Sequence, residues 1–244
     1  MKAQMTPQKL SEIANIACQS FVELIRKREI ISFALKDQSL RASYNKTKAS
    51  HGFLHLTYVL YCDLIAETVS LIADQYDDTA SLAQIVTQLE KKSLHDKYRK
   101  ESVRPHVFNW LNKFDSESDK IEIERDLAKK ETRKLGAVFR RNYRNLMNGW
   151  QQLRALPEFD KLRRIRNKIL SHKATRVENG ETRLFELKDF KMKYGECEKL
   201  IDAAEPLFVR VGTLVRRTDY NYSSAKQIYA KRAEEFWATC RGIK

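Results

Sequence analysis

Helix breakers are scarce in this chain: 7 glycines and 4 prolines punctuate 244 residues. Apolar residues recur at three- and four-residue spacing almost throughout, which is the period of an amphipathic helix. Together these constrain the fold to an all-α bundle, with strand admitted only where the period changes. Thr6-Pro7 is an N-cap followed by an N1 proline, and it opens a first helix that runs to about Leu35. Residues 36–50 are polar and read as loop. A second helix over 51–76 is apolar on most sides and therefore central. Asp77-Asp78-Thr79-Ala80-Ser81 ends it and caps a short helix, 82–89. Residues 91–119 read as irregular or short-helical, with Pro105 a breaker. A charged helix from about Ser118 leads into an aromatic-bearing one through Phe139, Tyr143, Leu146 and Trp150. Residues 157–173 form a further amphipathic helix. The period then drops to two, and Asn179-Gly180 sits between two short alternating runs, predicting one small hairpin over 175–185. Two last helices cover about 194–217 and 223–239, with Pro206 expected to kink or divide the former. No domain boundary breaks this pattern, so residues 1–244 read as one helical domain.

Charge is unevenly spread along those helices. The formal net charge is +14. Between Lys129 and Arg176, 15 lysines and arginines stand against 3 acidic residues, so +12 of the excess lies in one fifth of the chain. Such a block attracts a polyanion, nucleic acid or an anionic surface; the alternative is a solvated face that keeps the protein dissolved. Cys18, Cys62, Cys197 and Cys240 are scattered, without zinc or disulfide spacing. No secretory segment opens the chain and no apolar run reads as long enough to span a membrane, so a cytoplasmic protein with reduced thiols is expected. No cofactor signature, Gly-rich phosphate loop, carboxylate pair or nucleophile elbow is present. His51 and His55 stand four apart on one helix, compatible with a metal, but no third ligand accompanies them and no metal site is expected.

One heptapeptide departs from its surroundings. Arg166-Asn167-Lys168-Ile169-Leu170-Ser171-His172 lies in the helix over 157–173, whose apolar stripe is Phe159, Leu162, Ile165, Ile169 and Leu170. Arg166 falls within roughly 30° of the centre of that stripe, given about 100° per residue. A guanidinium there is costly unless an anion meets it. His172 lies on the edge of the same stripe, about 120° and roughly 9 Å from Arg166 along a regular α-helix. Arg99 and His106 repeat the pairing with six residues between, but Pro105 precedes that histidine and interrupts a helix. Two assignments of the heptapeptide remain open. Arg166 could pair with a carboxylate of the central helix, such as Asp63 or Glu67, with His172 capping a helix C-terminus. Or the pair could do chemistry on a phosphate. Phe139, Tyr143 and Trp150, interleaved with Arg140, Arg141 and Arg144, could stack bases, although their spacing reads first as core.

The arginine, the polar residue after it and the histidine near the end of a helix resemble the motif of the HEPN superfamily. The flanking text, Leu162 to Lys173, together with Leu60-Tyr61-Cys62-Asp63-Leu64, Ala80-Ser81-Leu82 and Leu187 to Leu200, resembles its abortive-infection type U (Abi-U) branch. The resemblance extends over about residues 50–216, with helices at both ends expected to pack on that core. Some HEPN toxins carry a tyrosine two residues past the histidine; here Ala174 stands in its place, and a mechanism that modifies such a tyrosine is not supported. The resemblance implies a helical bundle that dimerises with its motifs in a shared cleft and cleaves RNA without a metal. Arg166, Asn167 and His172 would be catalytic, and Lys161, Arg163, Arg164, Lys168 and Lys173 would bind RNA. Defence against phage, with an antitoxin or another defence component as partner, is implied alongside. The other possibility is a HEPN module that binds RNA or a protein without cleaving.

Overall fold

The computed structural model describes residues 5–45, 47–76, 79–103, 117–171, 174–178 and 181–241, the side chains of 117–124 and 241 excepted. The described residues are all-α apart from one two-stranded hairpin. Helix α1 (Pro7–Lys36) begins as its sequence requires: the Thr6 hydroxyl accepts from the Lys9 amide, and Pro7 occupies the first turn. Helix α2 (Gln38–Asn45) occupies a stretch that reads as loop. Asp37 caps it by accepting from the Leu40 amide at 2.9 Å, and Leu40 is fully buried. Leu40 and Tyr44, four apart in two turns, are too short a period to read as a helix, so α2 depends on the pocket of Ala34, Phe53 and Trp237 that Leu40 fills, with Tyr44 stacked on Phe53.

Helix α3 (Ser50–Ala73) runs through the middle and packs on α1, α4 (Leu82–Leu89), α7 (Pro157–Ile165) and α8 (Glu196–Val211). Its second half buries Tyr61, Leu64, Ile65, Val69 and Ile72. The first half leaves Leu54, Leu56, Tyr58 and Val59 each at least two-fifths exposed. By length and apolar composition α3 could cross a membrane. That corrects the expectation that no run in the chain is long enough, since its isolated polar residues interrupt the run by eye without lowering its mean hydropathy far. Helix α5 (Lys92–Ser102) precedes residues 104–116, which lie outside the described set together with Pro105 and His106.

The charged and aromatic segments expected as two helices are one, α6 (Glu117–Arg154), 38 residues long. Nothing in the sequence breaks it: Gly136 and Gly149 are its only glycines, and it contains no proline. Phe139, Leu146, Trp150 and Leu153 form its buried side, so the aromatics are core and not base-stacking platforms. The strands β1 (Thr175–Glu178) and β2 (Glu181–Leu184) pair antiparallel, Arg176 opposite Arg183; the Asn179-Gly180 turn lies outside the described residues. Of the two outcomes expected at Pro206, a kink or a division, the division does not occur: α8 continues through it. A π-helical segment, Gly212–Arg216, follows it, and α9 (Tyr222–Arg241) packs along α1. Phe21 of α1 stacks on Phe208 of α8 with ring centroids 4.3 Å apart, at the centre of the core.

Candidate active site

The site is built from the end of α7 and the end of α3. Helix α7 has Pro157 in its first turn, Glu158 and Asp160 beside it, and Arg163 and Arg164 in its last turn, an order that suits the helix dipole at both ends. Phe159, Leu162 and Ile165 are buried and fix which side faces inward. The coil then widens, and Arg166–Ser171 is π-helical, with no fully buried residue. The Ala174 amide donates to the Lys168 carbonyl at 2.7 Å and closes it. The regular α-helix expected over 157–173 is thus replaced from Arg166 onward. A π turn adds a residue per hydrogen-bonded ring, so the 120° relation between Arg166 and His172 belongs to the α-helical pitch only. Ile169 and Leu170 consequently reach the core edge half-buried. His172 and Lys173 lie outside the described residues.

Arg166 meets its anion. Its Nη1 donates to Asp74 Oδ1 at 2.6 Å and to Ser70 Oγ at 3.2 Å, and its Nε donates to Asn167 Oδ1 at 3.2 Å. The arginine side chain is 18% exposed and the aspartate 14%. The expected carboxylates, Asp63 and Glu67, are engaged elsewhere: both pair with Lys27 of α1. Asp74 lies farther along, directly after α3, where the chain turns toward α4. Ser81 fixes that turn by donating its hydroxyl to the Asp74 carbonyl while accepting from the Gln84 amide at 3.1 Å as the N-cap of α4. Three residues from different parts of the chain therefore act in series: Ser81 holds Asp74, and Asp74 holds Arg166. Arg166 Nη2 has no hydrogen-bond partner among the described residues.

The remaining basic residues singled out by sequence differ in their surroundings. Lys161 is paired with Glu196 at 2.6 Å and also donates to the Lys191 carbonyl. Arg163 is exposed, with Asp160 at 3.8 Å, and Arg164 is exposed with no partner among the described residues. Asn167 and Lys168 are exposed, the lysine ammonium lying 5.9 Å from the centre of the Phe185 ring. Ser70 and Asp74 also line a groove of about 610 Å³ between α1 and α3, with Glu23, Glu67 and Lys27. Three carboxylates to one ammonium make that groove unsuited to a phosphate.

Cysteine chemistry is remote from this centre. Burial pushes the Cys18 thiol up to about 11 and the Cys197 thiol up to about 12, so neither supplies a thiolate near neutral pH. His51 and His55 are exposed, and no cluster of three metal-ligating side chains occurs among the described residues.

Ser70 and Asp74 were not legible as site residues: only the fold brings them to Arg166, and a serine and an aspartate at a helix end read as ordinary capping. No curated protein and no solved structure matches the chain. The model of the AbiU2 family of HEPN domains matches residues 7–236, beyond the 50–216 that the motifs suggested and including α1 and most of α9. By that match, over nearly its whole length, the chain belongs to the AbiU2 family of HEPN domains.

Proposed function

We propose that this protein is a metal-independent endoribonuclease, a cytoplasmic HEPN effector of abortive infection or of a toxin–antitoxin pair. The observation that carries the proposal is the half-buried Arg166 guanidinium, gripped by Asp74 and Ser70 through Nη1 with Nη2 unpartnered among the described residues, at a π turn of the helix end that leads to His172. Cleavage by the 2′-hydroxyl of RNA on the adjacent phosphorus needs three things. A base near neutral pKa takes the hydroxyl proton, a cation meets the charge growing on the phosphorane, and an acid protonates the leaving 5′-oxygen. Imidazole suits the first or the last, and Arg166 the second. Asn167, whose carboxamide accepts from Arg166, sets the plane of the guanidinium. One imidazole cannot serve as base and acid at once, so two copies facing across a two-fold axis supply the complement. A π turn at the motif supports the assignment, because such turns concentrate at functional positions.

The second reading, an RNA- or protein-binding module without cleavage, is favoured by one fact: Asp74 already neutralises Arg166, as a purely structural role would require. Cleavage of a single-stranded RNA in excess chelator separates the two. The ribonuclease reading expects products ending in a 2′,3′-cyclic phosphate. It also expects losses of about 100- to 10,000-fold in His172→Ala and Arg166→Ala, with both variants folded and still binding RNA. Undiminished cleavage by His172→Ala removes the catalytic assignment.

A further inference from the structure

A basic surface with no partner among the described residues lies on α6. Arg140, Arg141 and Arg144 are exposed, and none makes an ion pair or hydrogen bond with another described residue. Beside them, Asn142, Asn145, Asn148 and Gln152 make no hydrogen bond to any described residue either. At 100° per residue Arg141, Asn145, Asn148 and Gln152 fall within an arc of about 60°, and they extend about 16 Å along the helix. This stripe borders two adjoining depressions between α6 and α8, of about 540 and 380 Å³, which share Pro206 and Arg210. The wall between them is fixed. Arg210 folds back to donate to the Pro206 carbonyl at 2.7 Å, and Leu207 lies against Gly149. Among the described lining residues Glu205 is the one carboxylate. Charge therefore points the opposite way from the groove beside Asp74.

Free carboxamides on a rigid helix present a donor and an acceptor side by side. That pair matches adenine, which offers an N6 donor next to an N7 acceptor, and unpaired RNA exposes this edge. Arg141 and Arg144 do not line the depressions, but both are exposed, Arg141 on the stripe and Arg144 one turn from Asn148 on its outer side, where they can meet phosphates. We propose that the α6–α8 groove is an RNA-binding site separate from the Arg166 centre. It takes single-stranded RNA, with phosphates on Arg141 and Arg144 and adenine edges on Asn145 and Asn148. This rests on the ribonuclease reading only in taking RNA as the ligand.

Fluorescence anisotropy of full-length protein with 12-nucleotide oligoadenylate and oligouridylate tests it, in an Arg166→Ala/His172→Ala background that prevents cutting. The parent should prefer oligoadenylate roughly ten-fold, the size of one good carboxamide–base pair. Asn145→Ala/Asn148→Ala should abolish that preference and leave the salt dependence unchanged. Arg141→Ala/Arg144→Ala should weaken both oligomers and lower the log–log salt slope by about 1.4 units, or 0.7 for each single-strand phosphate. All four residues are exposed, and a melting curve for each variant shows that it is folded. Equal affinity for the two oligomers, or an unchanged slope in the arginine pair, overturns the site. So does polyglutamate competing as well as oligoadenylate, since the arginines would then accept any polyanion. If oligoadenylate binding depends on the groove but the unmodified protein cuts no RNA, the catalytic reading fails and the groove stands. If cleavage follows Arg166 and His172 while groove variants bind normally, the reverse holds.

Discussion

A guanidinium on the apolar side of a helix needs a negative partner, and for Arg166 that partner is Asp74. Asp74→Ala leaves the guanidinium half-buried and unpaired. Losing a hydrogen bond to a charged group and stranding its partner should cost about 2 kcal/mol, or roughly 4–8 °C in melting temperature for a chain of this size. Asp74→Asn, which keeps an acceptor, should cost less; thermal melting that ranks the two equally would show that the charge contributes nothing. Ser81→Ala removes both the α4 cap and the tie to the Asp74 carbonyl, and should cost about 1 kcal/mol. If Arg166 is catalytic, Asn167→Ala should reduce cleavage less than Arg166→Ala does, because it orients the guanidinium and transfers no proton. Measured rates in the opposite order would reverse the two roles. Arg166 itself was legible in the sequence as a misplaced charge. Its partner was not, because Asp63, Glu67 and Asp74 all lie on or beside one helix and only packing decides which reaches it. Lys27 takes the first two.

Among the elements, long helices with clear caps followed the sequence closely. The start of α1 at Thr6-Pro7 and the bounds of α4 at Ser81 were read from cap chemistry, which is local. Departures came where the deciding contact is distant: α2 depends on a pocket made by α1, α3 and α9, and the π turn after α7 has no glycine or proline at its start, unlike the one after α8, which begins at Gly212. Two glycines test how tightly elements meet. A Cβ at position 149 would lie 2.5 Å from Leu207 Cδ2, so Gly149→Ala should destabilise by about 1–3 kcal/mol. In a Leu207→Ala background, itself destabilised by the lost core side chain, Gly149→Ala should cost less than it does in the parent, since the obstructing methyl is gone. At position 212 a Cβ would meet the Thr218 carbonyl oxygen at 2.8 Å and the Tyr220 ring at 2.5 Å. Backbone cannot move aside as a leucine tip can, so Gly212→Ala should lower the denaturation midpoint more than Gly149→Ala. The reverse order in chemical denaturation would mean that the loop at Thr218 yields.

At the scale of the whole molecule, an excess of +14 with its basic block on α6 and α7 should make RNA affinity fall steeply with salt. Arg163→Glu/Arg164→Glu should flatten that dependence if these residues contact phosphates, and an unchanged titration would leave them as solvated surface. A shared centre further requires self-association, so sedimentation at micromolar concentration should report a dimer; a strict monomer would remove the two-copy chemistry while leaving the groove on α6 and α8 intact. The sequence by itself determined that the chain is helical, where its capped helices begin, where the one hairpin lies, and that Arg166 is out of place. Those properties depend on short-range periodicity, capping and turn chemistry. Tertiary structure alone decided that Asp74 holds Arg166, that Lys161 is committed to Glu196 while Arg141 and Arg144 have no partner among the described residues, and that α2 is a helix. In each of these the choice lies between chemically equivalent partners far apart in the chain, and only packing brings one of them within reach.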